Sequence, residues 1–345
     1  MLEKEICMCK ELNRNDLKQR CLIISDLDAT LLNNKSELSE KTIETVKKVT
    51  AAGHVFCIAT GRPYRGSYMF YDQLNLDSII INYNGASMSK PYDAEFKPIN
   101  FQITSELVKQ LLTDPKNRSL IKNAMIENNY GTLFLTEPET EVEKMLFLQQ
   151  FHVDTNIQLK VMGENFNNFK GDAYAVLIQL KDHTQDKIDE LIYNIKSFTS
   201  TLICRNWTIP GLGSIIEINS LFSTKGTAIR FLSSYYGIPL EKCFAFGDGD
   251  NDNEMLKTAG FGFAMRNGTT TAKLSAKFLT EYSNNDDGVA HELNRLFELQ
   301  VAFNETKEKL RHEKLKVVKL KKEIQKAKQI AQKTKKINIS SNQSD

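Results

Sequence analysis

Cys21-Leu22-Ile23-Ile24-Ser25-Asp26-Leu27-Asp28-Ala29-Thr30 is an apolar run that ends in two carboxylates spaced i, i+2. A buried parallel strand reads this way when it delivers charge to the C-terminal edge of its sheet. Side chains alternate along a strand, so Asp26 and Asp28 are expected on one side and Leu27 on the other. Two like charges held that close call for a cation. Far downstream, Phe244-Ala245-Phe246-Gly247-Asp248-Gly249-Asp250-Asn251-Asp252 repeats the pattern: a second apolar run ending in acids.

Working outward from the first stretch, Ser39 is placed to cap a helix with Ile43, Val46 and Val49 at helical spacing, and Gly53 stands where that helix should stop. The strand His54–Ala59 follows and ends in Thr60-Gly61-Arg62-Pro63; a third run, Ser78–Gly85, ends in Asn84. Strand, helix, strand, helix, strand in alternation predicts a parallel α/β sheet with right-handed crossovers, and functional groups in such sheets gather at the strands' C-terminal ends. Asp26, Asp28, Thr60 and Asn84 all occupy such ends.

From about residue 89 the texture changes. Amphipathic helices over 105–112, 139–150 and 186–198 interleave with strands over 132–136, 173–180 and 201–207, which predicts an inserted α+β domain over residues 89–211 with a core of its own. Its borders, Ser89-Lys90-Pro91 and Pro210-Gly211-Leu212-Gly213, read as hinges. The first sheet is then expected to resume with strand 214–219, a helix from Thr224-Lys225-Gly226, strand 242–247, helix 251–258 and strands 261–265 and 277–280. The expected organisation is an N-terminal extension (1–20), a core (21–88 and 212–300), the insertion (89–211) and a helical tail (301–345).

The chain has 345 residues, 41% of them hydrophobic, which is ample for two cores. No run approaches the roughly 18 apolar residues of a membrane span, and the first residues lack a basic segment followed by an apolar one, so a cytoplasmic protein without a membrane span is expected. Six cysteines are too sparse for a disulfide framework; Cys21, Cys57 and Cys243 sit in apolar runs and are expected as reduced core residues. The net charge of +2 hides an asymmetry, because residues 304–345 carry 13 Lys+Arg against 5 Asp+Glu. Phe303, Leu310, Val317, Ile324 and Ala331 recur every seven residues in that tail without a matching second seam. Three readings stay open for it: a solvated basic helix, a self-association or partner helix, and a patch for nucleic acid or anionic membrane, with nucleic acid the least favoured.

Several motif readings fall away. Asp248, Asp250 and Asp252 mimic the start of a calcium-hand loop, but Asn253 stands where Gly is required and Ala259 where the closing Glu should be. His291-Glu292-Leu293-Asn294-Arg295 lacks the second zinc-binding His, and neither a phosphate-binding G-x-x-x-x-G-K-[ST] loop nor a G-x-S-x-G elbow occurs. What remains is Asp26, Asp28, Asp248 and Asp252 at the ends of two strands, a hard-oxygen set suited to Mg²⁺, with Lys225 and Thr60 placed to hold phosphate oxygens.

The motifs, in order, resemble those of the haloacid dehalogenase-like phosphatases, and specifically the Cof-type hydrolases with a large α/β cap. Asp26-Leu27-Asp28-Ala29-Thr30-Leu31-Leu32 resembles the first motif and Ala59-Thr60-Gly61-Arg62 the second. Asn84-Gly85-Ala86 is similar to the segment before the cap, and Ser223-Thr224-Lys225-Gly226 resembles the third motif. Gly247–Asp252 with Met255-Leu256 resembles the fourth, and Asp287-Gly288-Val289-Ala290 the closing segment. The resemblance covers residues 21–297. It implies a Rossmann-like parallel-sheet core with an inserted α+β cap, followed here by a basic helix. It further implies an Mg²⁺-dependent phosphomonoester hydrolase acting on a small phosphorylated metabolite, a sugar phosphate or phosphorylated cofactor. Asp26 would be the nucleophile and Asp28 the general acid and base. Mg²⁺ would sit on Asp26, Asp28 through its main-chain carbonyl, and Asp248, with Asp252 nearby, and Thr60, Gly61, Arg62, Lys225 and Asn251 would bind the phosphate. A phosphomutase on the same fold, and a non-enzymatic binding protein acting through the basic tail, are the alternatives. Ala29 departs from the family's usual Gly. A left-handed backbone would cost an alanine roughly 1–2 kcal/mol, so Ala29 is expected at negative φ.

Overall fold

The computed structural model describes residues 17–152, 160–162, 166 and 169–301. In chain order its strands are β1 Leu22–Ser25, β2 Val55–Ile58, β3 Ile80–Asn82, β4 Ser87–Ser89, β5 Ile99–Asn100, β6 Ile121–Asn128 and β7 Gly131–Phe134, then β8 Lys160–Val161, β9 Ala173–Leu180, β10 Leu202–Ile209, β11 Gly213–Ser220, β12 Cys243–Gly247, β13 Phe261–Ala264 and β14 Phe278–Leu279. The N-terminal extension 1–16 and the tail 302–345, with its heptad pattern, lie outside the described residues.

β1 is the central strand of a parallel sheet ordered β14-β13-β12-β1-β2. Leu22 pairs with Val55 on one side and Cys243 on the other, so the two acid-bearing strands are direct neighbours in register. Every residue of β1 is buried because both faces are covered. Ile23, Phe56, Phe244 and Phe246 pack on one face with Val46, Val49 and Leu293. Leu22, Ile24, Cys57 and Ala245 pack on the other with Ile229, Leu232 and Leu256. Local signals place the helices: Ser39 Oγ accepts from Thr42 N at 3.0 Å before helix Glu40–Ala51, and Gly53 takes φ 92 after it. The helix that begins near residue 287 runs over Gly288–Phe297 and stops there, with Glu298 left-handed at its end. Cys21, Cys57 and Cys243 are buried, with burial pushing the Cys57 thiol up to about 12.

Two strand assignments need correction. Residues 80–82 join the parallel sheet only through a single bridge between Ala59 and Ile81; their main pairing is antiparallel, in a small sheet β3-β4-β5. Ser214–Asn219 does not return to the first sheet. It lies in β11, which pairs antiparallel with β10 along its whole length and also with β9. The expected hinge at 210–213 is therefore a tight hairpin turn, with Leu212 N bonded to Ile209 O at 3.0 Å and Gly211 and Gly213 at φ 85 and 78.

The second sheet is ordered β10-β11-β9-β6-β7-β8. Its alternation gives it two different faces. Ala124, Ile126, Val176, Ile178, Ile216 and Ile218 pack under the helices Ser105–Thr113 and Gln185–Phe198. Met125, Ala175, Leu177 and Ile215 form the other face, with Phe147 and Phe151 and with Tyr83 of the core segment. That second face, which also carries Glu127 and Glu217, looks onto the C-terminal edge of the parallel sheet.

Candidate active site

Four of the predicted residues converge where β1 and β12 end. Lys225, the first residue of helix Lys225–Tyr236, is set in place by Thr224, whose Oγ1 accepts from Thr227 N at 2.9 Å. Its ammonium is fully buried and bonds Asp26 Oδ1 and Asp252 Oδ1, both at 2.6 Å. A surface role for this lysine is thereby excluded. Asp252 uses its second oxygen to accept from Asp248 N and Gly249 N, each at 2.9 Å, which fixes the loop after β12. Asp248 Oδ1 accepts from Thr30 Oγ1 at 3.0 Å, tying that loop to the one after β1.

Asp26, Asp248 and Asp252 each offer an oxygen within 4.8 Å of the others. Burial raises the Asp26 carboxyl well above the usual range, opposed by the Lys225 ammonium and reinforced by Asp252 and Asp248. Burial, then Asp252, pushes Asp248 up to about 6. The two carboxylates hold Lys225 protonated against its own burial. One ammonium facing three carboxylates, Asp26 and Asp252 buried and Asp248 half-buried, leaves an excess of negative charge on hard oxygens, and a divalent cation fits that set.

The second motif forms the opposite wall. Thr60 is buried and its Oγ1 accepts from Arg62 N at 3.1 Å, while Gly61 lies against Asn84, whose Oδ1 would be 3.3 Å from any added Cβ. The Arg62 guanidinium is committed to Asp28, with Nε to Oδ2 at 2.8 Å and Nη2 to Oδ1, and its Nη1 bonds Gly66 O at 3.0 Å. Asp28 itself is about half exposed, unlike buried Asp26. Asn251 Nδ2 donates to Asn84 Oδ1 at 2.9 Å.

Ala29 corrects the sequence-based expectation: its φ is 51 and its ψ 10. The chain must reverse between Asp28 and Thr30, Leu32 N closes the turn onto Leu27 O at 2.8 Å, and Asn267 Nδ2 clamps the Ala29 carbonyl at 2.7 Å. These bonds hold an alanine in a conformation that glycine adopts without strain. Ala29→Gly should therefore stabilise the fold by about 1 kcal/mol, the relieved strain exceeding the added unfolded-state entropy. Urea unfolding would show a higher midpoint at unchanged slope; a lower midpoint would count against a strained Ala29.

Asn267 and Glu217 carry no motif, and Thr30, although it lies within the first motif, has no role that the sequence singles out. For Glu217 there was a signal, a lone acid inside the apolar run Ile215–Ile218. Asn84 was placed at its strand end, yet its role as a bridge between Asn251 and Glu217 was not readable.

Comparison with known families matches residues 23–293 to the haloacid dehalogenase-like hydrolases. The chain belongs to that family. This hydrolase is 34% identical over 279 residues to the 5-amino-6-(5-phospho-D-ribitylamino)uracil phosphatase YitU of Bacillus subtilis, covering 81% of this chain and 98% of that one. Among solved structures it is similar to TM0651 from Thermotoga maritima, at 25% identity and TM-score 0.65 over 80% of this chain and 97% of that one. A haloacid dehalogenase-like hydrolase from Bacteroides thetaiotaomicron shares the fold with TM-score 0.66 at 23% identity, over 81% of this chain and all of that one. The parallel α/β core with an antiparallel-sheet cap is the family's fold, and the enzyme is a phosphatase of this family. Among the described residues no helix is long and apolar enough to cross a membrane.

Proposed function

We propose that this hydrolase is a cytoplasmic Mg²⁺-dependent phosphomonoesterase for a small phosphorylated metabolite, a sugar phosphate or phosphorylated cofactor, working through an aspartyl-phosphate. The observation that carries this reading is Lys225, fully buried between Asp26 and Asp252 beside Asp248. The names of its relatives agree in substrate class: a ribitylaminouracil phosphate for one, and a sugar for the phosphatase BT4131, which shares the fold.

Lys225 engages Oδ1 of Asp26, so Oδ2 is the attacking oxygen. It bonds to phosphorus as the ester P–O bond breaks, and the leaving oxygen takes the proton of Asp28. In the second half Asp28 accepts a proton from water, the water oxygen bonds to phosphorus, and the bond to Asp26 breaks to release phosphate. Thr60, Gly61, Lys225 and Asn251 hold the phosphoryl oxygens. Arg62 occupies both Asp28 oxygens, so it has to leave Asp28 before that carboxyl can reach the leaving oxygen, and is then available to the phosphate itself. Asp26, Asp248, the Asp28 main-chain carbonyl and, at its margin, Asp252 would hold Mg²⁺, which supplies positive charge against the phosphoryl group.

Asp28→Asn should lower kcat by about 10²–10⁴, the worth of a general acid and base, with less change in KM. A variant within threefold of wild type in steady-state assay would remove Asp28 from proton transfer. Chelation by EDTA should stop turnover, and added Mg²⁺ should restore it while raising the melting temperature. Full activity in metal-free buffer would refute the metal assignment. A panel of phosphorylated metabolites assayed for phosphate release tests the substrate class.

A further inference from the structure

Two acids of the cap sheet, Glu127 on β6 and Glu217 on β11, sit on the face that looks onto the site, 3% and 6% exposed. Their surroundings differ sharply. Glu127 is neutralised: Arg65 forks onto it at 2.9 and 2.6 Å, and Tyr83 OH and Thr132 Oγ1 donate at 3.2 and 2.9 Å. Glu217 has one donor, Asn84 Nδ2 at 3.1 Å, and among the described residues no Lys, Arg or His within ion-pair distance. Arg205 stands directly across the ladder from it but turns away, to Asn219 Oδ1 at 2.7 Å and Ser223 O at 3.4 Å. Its ladder neighbour on the other side, Leu177, offers neither charge nor a side-chain donor.

A carboxylate can accept about four hydrogen bonds, and a buried one that accepts only one from an amide pays for its desolvation without return. Its position explains what can complete it. Asn84 lies over the Gly61 backbone and accepts from Asn251, and Gly85 abuts Thr224, the cap of the Lys225 helix. Glu217 is thus one side chain removed from Asn251 and approaches it from the cap side, where the alcohol half of an ester held by these groups would lie.

We infer that Glu217 reads the leaving group: it accepts hydrogen bonds from a hydroxyl or amine near the scissile ester and rejects esters that carry a second anionic group there. This rests on the phosphomonoesterase reading above. Glu217 makes no contact with the reacting carboxylates, so its effect belongs to specificity.

The experiment uses the full chain with Mg²⁺ and three probes: sorbitol 6-phosphate, which offers hydroxyl donors; phenyl phosphate, which offers none; and 3-phosphoglycerate, which adds a carboxylate. Wild type should show kcat/KM for sorbitol 6-phosphate about tenfold or more above that for 3-phosphoglycerate, the reverse order being enough to overturn the inference without any variant. Glu217→Gln keeps an acceptor for Asn84 but removes the charge. It should shrink the sorbitol 6-phosphate to phenyl phosphate ratio about tenfold and raise the 3-phosphoglycerate to phenyl phosphate ratio by a similar factor. Ratios within twofold of wild type, including an equal loss on all three probes, would assign Glu217 a structural role and overturn the inference. If wild type releases phosphate from none of the three and from no member of a wider phosphate panel, the phosphatase reading itself fails, which is a separate result.

Discussion

Asp26→Asn should abolish turnover, by on the order of 10⁵ or more in kcat, while the fold stays intact. The asparagine fills the same volume, and its amide oxygen can still accept from the Lys225 ammonium that now bonds Asp26 Oδ1 at 2.6 Å. What it lacks is the second anionic oxygen that attacks phosphorus. Stability should hold or rise slightly, because Asp26 is buried beside Asp252 and Asp248 and its charge is disfavoured there. Phosphate release under saturating Mg²⁺, together with thermal unfolding, checks both halves. A variant that melts normally and keeps more than a few per cent of wild-type kcat would mean that some other group attacks phosphorus.

The residues of this site were legible to unequal degrees, and the reasons are physical. Charge at the end of an apolar run is costly to bury, so Asp26, Asp28, Asp248 and Asp252 announce themselves without any alignment. Lys225 was legible because the sequence puts it at the start of a helix; the structure adds Thr224 as the cap that sets it there. The parallel register of β1 between β2 and β12 follows from runs buried on both faces. Sheet membership of β11 did not: Ile215–Ile218 reads as a buried strand in either sheet, and only the tight turn at 210–213 says that it folds back on β10. β6 went unread because Asn123, Glu127 and Asn128 interrupt its apolar pattern, and each is buried for a reason that lies elsewhere in the chain. Asn123 satisfies Thr136, Asn128 satisfies Lys170, and Glu127 answers Arg65. The same holds for Ala29, whose strain is imposed by Asn267 from 238 residues away. Long-range partners turn a residue that local rules would exclude into one the fold requires.

Lys225→Met is the second large effect, and it separates two roles that one residue combines. Methionine keeps most of the side chain's volume but leaves Asp26 and Asp252 buried with nothing between them. Breaking a buried ion pair by removing one partner typically costs about 3–5 kcal/mol, because the remaining charges stay desolvated. That cost depends on pH. Without the ammonium the pKa-raising causes at Asp26, burial and the neighbouring carboxylates, act unopposed, so its folded-state pKa climbs further above the unfolded value. A raised acid pKa contributes stability at low pH that is lost as pH rises through the folded-state value. In metal-free buffer the variant should therefore be close to wild type in urea midpoint at pH 5 and well below it at pH 7.5, and Mg²⁺ should recover part of the gap at the higher pH. Activity is a separate matter, because the variant also loses the cation that holds the phosphoryl oxygen. Kcat should fall by about 10³ even under conditions where the protein is fully folded. Equal urea midpoints at pH 7.5 would show that Lys225 does not offset the carboxylates, whereas a destabilised variant with near-normal kcat would confine the lysine to holding the fold.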